Sequence, residues 1–240
     1  EQTSSGLLPW VILGSKRDAI PQLKMPKDRA RRAIKYGVQR LASMQTSDGG
    51  LAYWPGGRAS MLWGSAYGGV ALALADREGF HVPLVAMDRL GDFLSRQLRK
   101  KKEDYNQYGL NDHCLALYAL SLLGRPEPAY HEKLYLKRQH LTDPDRALLA
   151  LAIHNSNGPR DMARTLLGEQ GRKPIYGWFG CAAQSLGVQL LAWSHHDPNA
   201  KQIDRLLTKL LSGRKNGHWI TTQGNAWAVM ALAAYADHVE

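Results

Sequence analysis

The sequence predicts an all-α fold, an α/α toroid (an α6/α6 barrel) of alternating inner and outer helices, with residues 1–240 as a single domain. Two observations carry this expectation. Apolar, Ala-rich helical segments alternate with amphipathic, charged ones along the whole chain, and strand signals are sparse, with "HWITT" (218–222) the only short candidate. A helix that is apolar on several sides belongs inside, whereas one with a single apolar stripe belongs outside.

In chain order, the inner set is predicted at 4–13, 61–76 ("MLWGSAYGGVALALAD"), 111–123 ("NDHCLALYALSLL"), 144–155 ("PDRALLALAIHN"), 180–194 ("GCAAQSLGVQLLAWS") and 223–237 ("QGNAWAVMALAAYAD"). The outer set falls between them at 27–45, 83–100, 128–139, 159–169 and 199–212. One outer helix is missing from a full count of pairs, as expected of a chain trimmed at an end. The opening "EQTSSGLLPW" fits the same expectation: Thr3, Ser4 and Ser5 look like a helix start, and neither Met nor a leader precedes them.

The joints repeat too. "MQTSDGGLAYW" (44–54) and "GRKNGHWITTQGNAW" (213–227) each place a Gly turn, after Asp48 or Asn216, before an aromatic and the next inner helix. Alternating pairs make all inner helices parallel, so every outer-to-inner loop lies on one rim. Glu1 and Gln2, 48–54, 105–113, 142–145, 176–180 and 218–223 are expected there, where helix N-termini favour an anion or a developing oxyanion.

Composition narrows the function. With 44% apolar and 22% charged residues the chain reads as ordinary globular protein, and no run is long and apolar enough to span a bilayer, so any export signal or anchor would lie upstream of Glu1. The net charge of +10 is partly concentrated in "KDRARRAIK" (27–35) and "RQLRKKK" (96–102). These charges interrupt amphipathic segments and lack interleaved aromatics, which favours solvated outer faces over a nucleic-acid partner. Cys114 and Cys181 lie early in apolar segments and outside any metal-type spacing, as buried free thiols do.

Toroids host several chemistries, so the site must decide. "QTSDGGLAYW" resembles the aromatic-and-glycine repeat of terpene cyclases and prenyltransferase β subunits. The chain has no DxDD acid motif for a cyclase. Asp112 and Cys114 form the DxC pair of a zinc prenyltransferase, but "GWFGCAAQ" (177–184) supplies no His, and no metal site is expected. A glycosidase would pair two rim carboxylates from Asp48, Asp112, Asp143 and Asp145, each equally well read as a turn or N-cap residue, as Asp143 before Pro144 illustrates.

The two ends of the chain are more specific. "EQTSSG" resembles the tail of the CxEQ thioester motif of the α2-macroglobulin and complement family, and "GHWITTQGNAWAVMALAAY" resembles the bacterial W-x-[ST]-T-Q-E-N-A-W signature, with Gly224 replacing Glu. The chain therefore resembles the thioester-containing domain of a bacterial α2-macroglobulin over essentially its whole length. The resemblance implies that Gln2 is the acyl donor of a Cys–Gln thioester whose Cys lies two places before Glu1, with Glu1 part of the motif. Neither Cys114 nor Cys181 takes that role.

It further implies a single-use covalent trap, not an enzyme, attacked by a Lys amine or hydroxyl of a protease. No cofactor is implied beyond that thioester in the full parent protein. The implied setting is the periplasm or cell envelope, with other domains of the parent, and a cell-wall synthase at family level, as partners. Trp54, Tyr105, Tyr108 and Trp219 are candidates for a dry pocket around the bond, each also explicable as joint packing. His113 stands near the spacing of the nucleophilic relay His of some complement proteins, although "NDHCLALY" does not reproduce that segment. The competing readings are a toroid enzyme and a non-covalent protein-binding module lacking the reactive Cys.

Overall fold

The computed structural model describes residues 1–16, 26–100, 107–174, 176 and 180–239, with 107, 108 and 239 by backbone alone. Among these, eleven α-helices and one short 3-10 turn follow in order. The inner helices are α1 (Gln2–Ser15), α3 (Leu62–Arg77), α5 (Gln107–Leu122), α7 (Asp143–Asn155), α9 (Ala182–His196) and α11 (Thr222–Val239). The outer ones are α2 (Lys27–Ala42), α4 (Leu84–Arg99), α6 (Pro128–Leu136), α8 (Arg160–Gly168) and α10 (Gln202–Ser212), so each predicted segment is a helix within about a turn of its expected place.

Packing closes the inner set into a ring. Helix α1 lies on α3, α3 on α5, α5 on α7, α7 on α9, α9 on α11, and α11 returns to α1. The outer helices pack against inner ones, α4 on α3 and α5, for example, and α8 on α7 and α9. This is the α/α toroid. Burial follows the sequence pattern: every residue of α7 from Pro144 to Ile153 is buried, whereas α10 buries only Ile203, Leu206 and Leu210, one stripe at helical spacing.

The barrel has a filled interior. Trp227 of α11 is 1% exposed and stacks on Tyr67 of α3, ring centroids 6.0 Å apart, with Tyr118 of α5 6.3 Å away on a tilt. Burial pushes both tyrosine phenols above their ordinary range. Helices α9 and α11 approach closely because Gly187 faces the α11 backbone: a Cβ there would sit 2.9 Å from the Trp227 carbonyl.

The strand candidate at 218–222 does not form a strand. His218 makes a single bridge with Lys215 across the Asn216–Gly217 turn, and Thr222 already opens α11. The cause is local: Asn225 Oδ1 accepts from the Trp219 N–H at 3.1 Å and its Nδ2 donates to the Trp219 carbonyl at 2.6 Å. A helix side chain thus satisfies backbone groups that a neighbouring strand would otherwise have taken.

Candidate functional site

The first turns of the inner helices meet on one rim through side-chain hydrogen bonds. Glu1 caps α1, and its Oε1 accepts from Ser5 Oγ and from Thr222 Oγ1, each at 2.8 Å. Ser5 Oγ also shares a hydrogen bond with the Tyr67 hydroxyl at 3.0 Å, which ties α1 to α3. Cys181 caps α9: its Sγ accepts from the Gln184 N–H at 3.3 Å and shares a hydrogen bond with Thr221 Oγ1 at 3.1 Å, tying α9 to α11. On the other side of the ring, Asn111 Nδ2 of α5 donates to Asp145 Oδ1 of α7 at 2.6 Å. These bonds tie together the starts of α1, α9 and α11 with α3, and separately those of α5 and α7; of the expected rim, 105–106 and 177–179 lie outside the described residues.

Gly224 belongs to this joint. A Cβ at that position would lie 2.9 Å from Thr221 Oγ1 and 3.0 Å from Cys181 Sγ, so the small residue lets the cap of α9 settle on the start of α11. That gives a steric reason for the departure from Glu in the end motif.

A cavity of about 410 Å³ opens where α1, α3 and α11 begin. Gln2 is exposed and lines it together with Glu1, Tyr53, Trp54, Trp63 and Gln223. Three helix N-termini border this space, so their partial positive charge favours an oxyanion developing on a carbonyl held there.

The structure separates the predicted aromatics. Trp54 lines the cavity, edge-on to Tyr53 at 5.1 Å, but is 62% exposed, too open by itself to shut out water. Trp219 is buried, donates from Nε1 to the Leu210 carbonyl at 2.8 Å, and packs the joint from α10 to α11 outside the cavity lining. Tyr105 and the side chain of Tyr108 lie outside the described residues. His113 is 2% exposed inside α5, with its Nδ1 bonded to the Gly109 carbonyl, and it is not among the residues lining the cavity around Gln2.

The carboxylates proposed for other chemistries are engaged as structure. Burial acts to raise the pKa of Asp48, but hydrogen bonds from Thr46, Ser60 and the Gly50 N–H, together with nearby Arg96, hold it below the usual carboxylate range. Asp143 accepts from the Gly171 N–H at 2.6 Å. Asp145 is 1% exposed in a capping box with Thr142; burial pushes its carboxyl up, against hydrogen bonds from Thr142 and Asn111. Cys114 is fully buried, its thiol pushed up first by burial and then by Asp145. Among the described residues no three His, Cys, Asp or Glu side chains come together as a metal-ligand set. Nor is any described helix long and apolar enough to cross a membrane.

No protein-family model matches the chain. In sequence it is 29% identical over 228 residues to an alpha-2-macroglobulin homolog of Nostoc, spanning 87% of this chain and 12% of that protein. It is 34% identical over 100 residues to the alpha-2-macroglobulin of Escherichia coli, 41% of this chain and 6% of that one. In structure it superposes on trypsin-activated alpha-2-macroglobulin from Escherichia coli with a TM-score of 0.82 at 19% identity, over 99% of this chain and 17% of that chain. Salmonella alpha-2-macroglobulin reacted with methylamine gives 0.82 at 20% identity, over 97% of this chain and 16% of that chain. These relatives are alpha-2-macroglobulins. The resemblance read from the two end motifs therefore holds across the fold and nearly the whole chain, which corresponds to a small part of each full-length alpha-2-macroglobulin.

Sequence reasoning named the rim but not its ties. The sequence marks Ser5 as a helix start and Thr222 and Gln223 as rim residues but not their partners, Tyr67 and Glu1 among them, because contacts between residues so far apart along the chain leave no periodic trace. Cys181 as a helix cap had one local signal, its place directly before an Ala-rich apolar run.

Proposed function

We propose that this chain is the thioester domain of a bacterial alpha-2-macroglobulin, with Gln2 as the acyl half of a Cys–Gln thioester. The single observation that carries the reading is the position of Gln2: it lines a cavity bordered by three helix N-termini, the environment a carbonyl under nucleophilic attack requires. The amine nitrogen of a Lys on a captured protease attacks the acyl carbon, the C–S bond breaks, and the proton lost by nitrogen ends on the departing sulfur. The bond is spent once, so the domain acts as a covalent protease inhibitor, without turnover, in the periplasm or cell envelope alongside the other domains of its parent. The Salmonella relative reacted with methylamine shares this fold, which supports small-amine chemistry as the assay.

The test uses a longer protein that includes the residues preceding Glu1. Methylamine should release one thiol beyond the native background and add one methylamine to Gln2 by mass. A Cys two places before Glu1 with no thiol released would sink the reading. A second reading, a non-covalent protein-binding module, is favoured by the exposure of Tyr53, Trp54 and Ile220, at 49%, 62% and 80%. It predicts partner binding that methylamine leaves unchanged.

A further inference from the structure

Gln223 is in the second position of α11, 2% exposed, and among the described residues no hydrogen-bond donor reaches its Oε1. Its neighbours are satisfied. Thr221 Oγ1 accepts from the Gly224 N–H and pairs with Cys181, Thr222 Oγ1 donates to Glu1, and Asn225 holds the backbone of Trp219. Buried carbonyl oxygens almost always find a donor, and those that do not call for an explanation. The residue that carries this unmet acceptor is one of those lining the cavity that holds Gln2.

We infer that Gln223 Oε1 is the positioning acceptor for an incoming primary amine, a Lys side chain or methylamine, as it approaches the Gln2 acyl carbon. This assignment rests on the thioester reading. A neutral primary amine can donate one N–H to Oε1 and still direct its lone pair at the carbonyl carbon. An amide oxygen is too weak a base to take the proton, so Gln223 orients the nucleophile while the proton leaves with the sulfur. A hydroxyl nucleophile needs a base to become reactive, which a carboxamide does not provide. Gln223 thus gives the site a preference for amines over hydroxyls and water.

The experiment uses the parent protein with its thioester intact and follows thiol release by methylamine, over a range of concentrations, beside the spontaneous hydrolysis rate. In Gln223→Met, close in shape but without the acceptor, the ratio of methylamine to hydrolysis rates should fall about tenfold, the effect of one lost hydrogen bond to a group gaining charge. Gln223→Glu keeps an acceptor but adds a base that can deprotonate water, so it should raise the hydrolysis rate and lower the ratio. Should Gln223→Met not fold, Gln223→Ala should show the same amine-selective loss. An unchanged ratio, whether both rates hold or both fall together, overturns the assignment by reducing Gln223 to packing. A wild-type protein that releases no thiol overturns the thioester reading itself, and this assignment with it.

Discussion

Thr222 Oγ1 donates to the Glu1 carboxylate at 2.8 Å, joining residues 221 positions apart and fastening the first inner helix to the last. The contact is exposed, so its worth is modest. Replacing Thr222 by Val should cost about 1 kcal/mol, read as a lower urea midpoint at an unchanged slope. Combining it with Glu1→Ala should cost less than the two changes added, since both remove the Thr222–Glu1 hydrogen bond. Strict additivity would show that the hydrogen bond contributes nothing.

Two glycines should respond in opposite directions to the same substitution. Gly187→Ala drives a methyl group to 2.9 Å from the Trp227 carbonyl and 3.1 Å from the Ala228 nitrogen, backbone atoms that cannot turn aside. Helix α9 must then withdraw from α11, at a cost of about 1–3 kcal/mol. Gly6 in α1 has nothing within 4 Å of an added Cβ, so Gly6→Ala should stabilise by about 0.5–1 kcal/mol. Thermal melting of both variants checks the pair.

His131 in α6 gives the fold an acid sensitivity. Burial lowers its pKa from 6.5 to about 4 against a smaller opposing pull from Glu127. The unfolded chain therefore takes up a proton that the folded chain refuses between those two values. Stability is full above the unfolded value and is lost as pH falls from 6.5 toward 4. His131→Leu should remove about 2 kcal/mol of the loss between neutral pH and pH 5, measured by urea titration at both. An equal loss in the two proteins would contradict this account.

The two thiols should differ in reactivity, Cys114 being both enclosed and held in the thiol form by burial. Cys181 is half-buried at the head of α9, whereas Cys114 is fully enclosed in α5. A disulfide-exchange reagent should titrate one thiol in the native chain and a second only in denaturant. Cys181→Ala should abolish the native titration. Two fast thiols without denaturant would show that the core around Cys114 opens readily.

The helical register was legible because it is written locally. The ten residues Pro144–Ile153 are buried as their composition requires, and Ile203, Leu206 and Leu210 mark the inward stripe of α10. "HWITT" misled because its β-branched residues signal a strand, while the deciding partner, Asn225, is a helix residue whose reach over Trp219 has no sequence pattern. For the site, Gln2 and the rim loops followed from motif and topology. Trp219 and Trp54, alike as sequence, fell to different environments, because each is placed by whether its own joint turns it toward the helix pair or the cavity.

Ring closure between α1 and α11 also sets an order of events during synthesis. The ribosome makes α1 before any other helix of the toroid and its closing partner α11 after all of them. Until Thr222 emerges to meet Glu1, the nascent chain is an open arc whose two ends present uncovered apolar helix faces. The longest-range contacts in the fold are therefore its last, so closure sets the folding rate and leaves the unfinished arc as the stage most exposed to aggregation and most in need of chaperone cover.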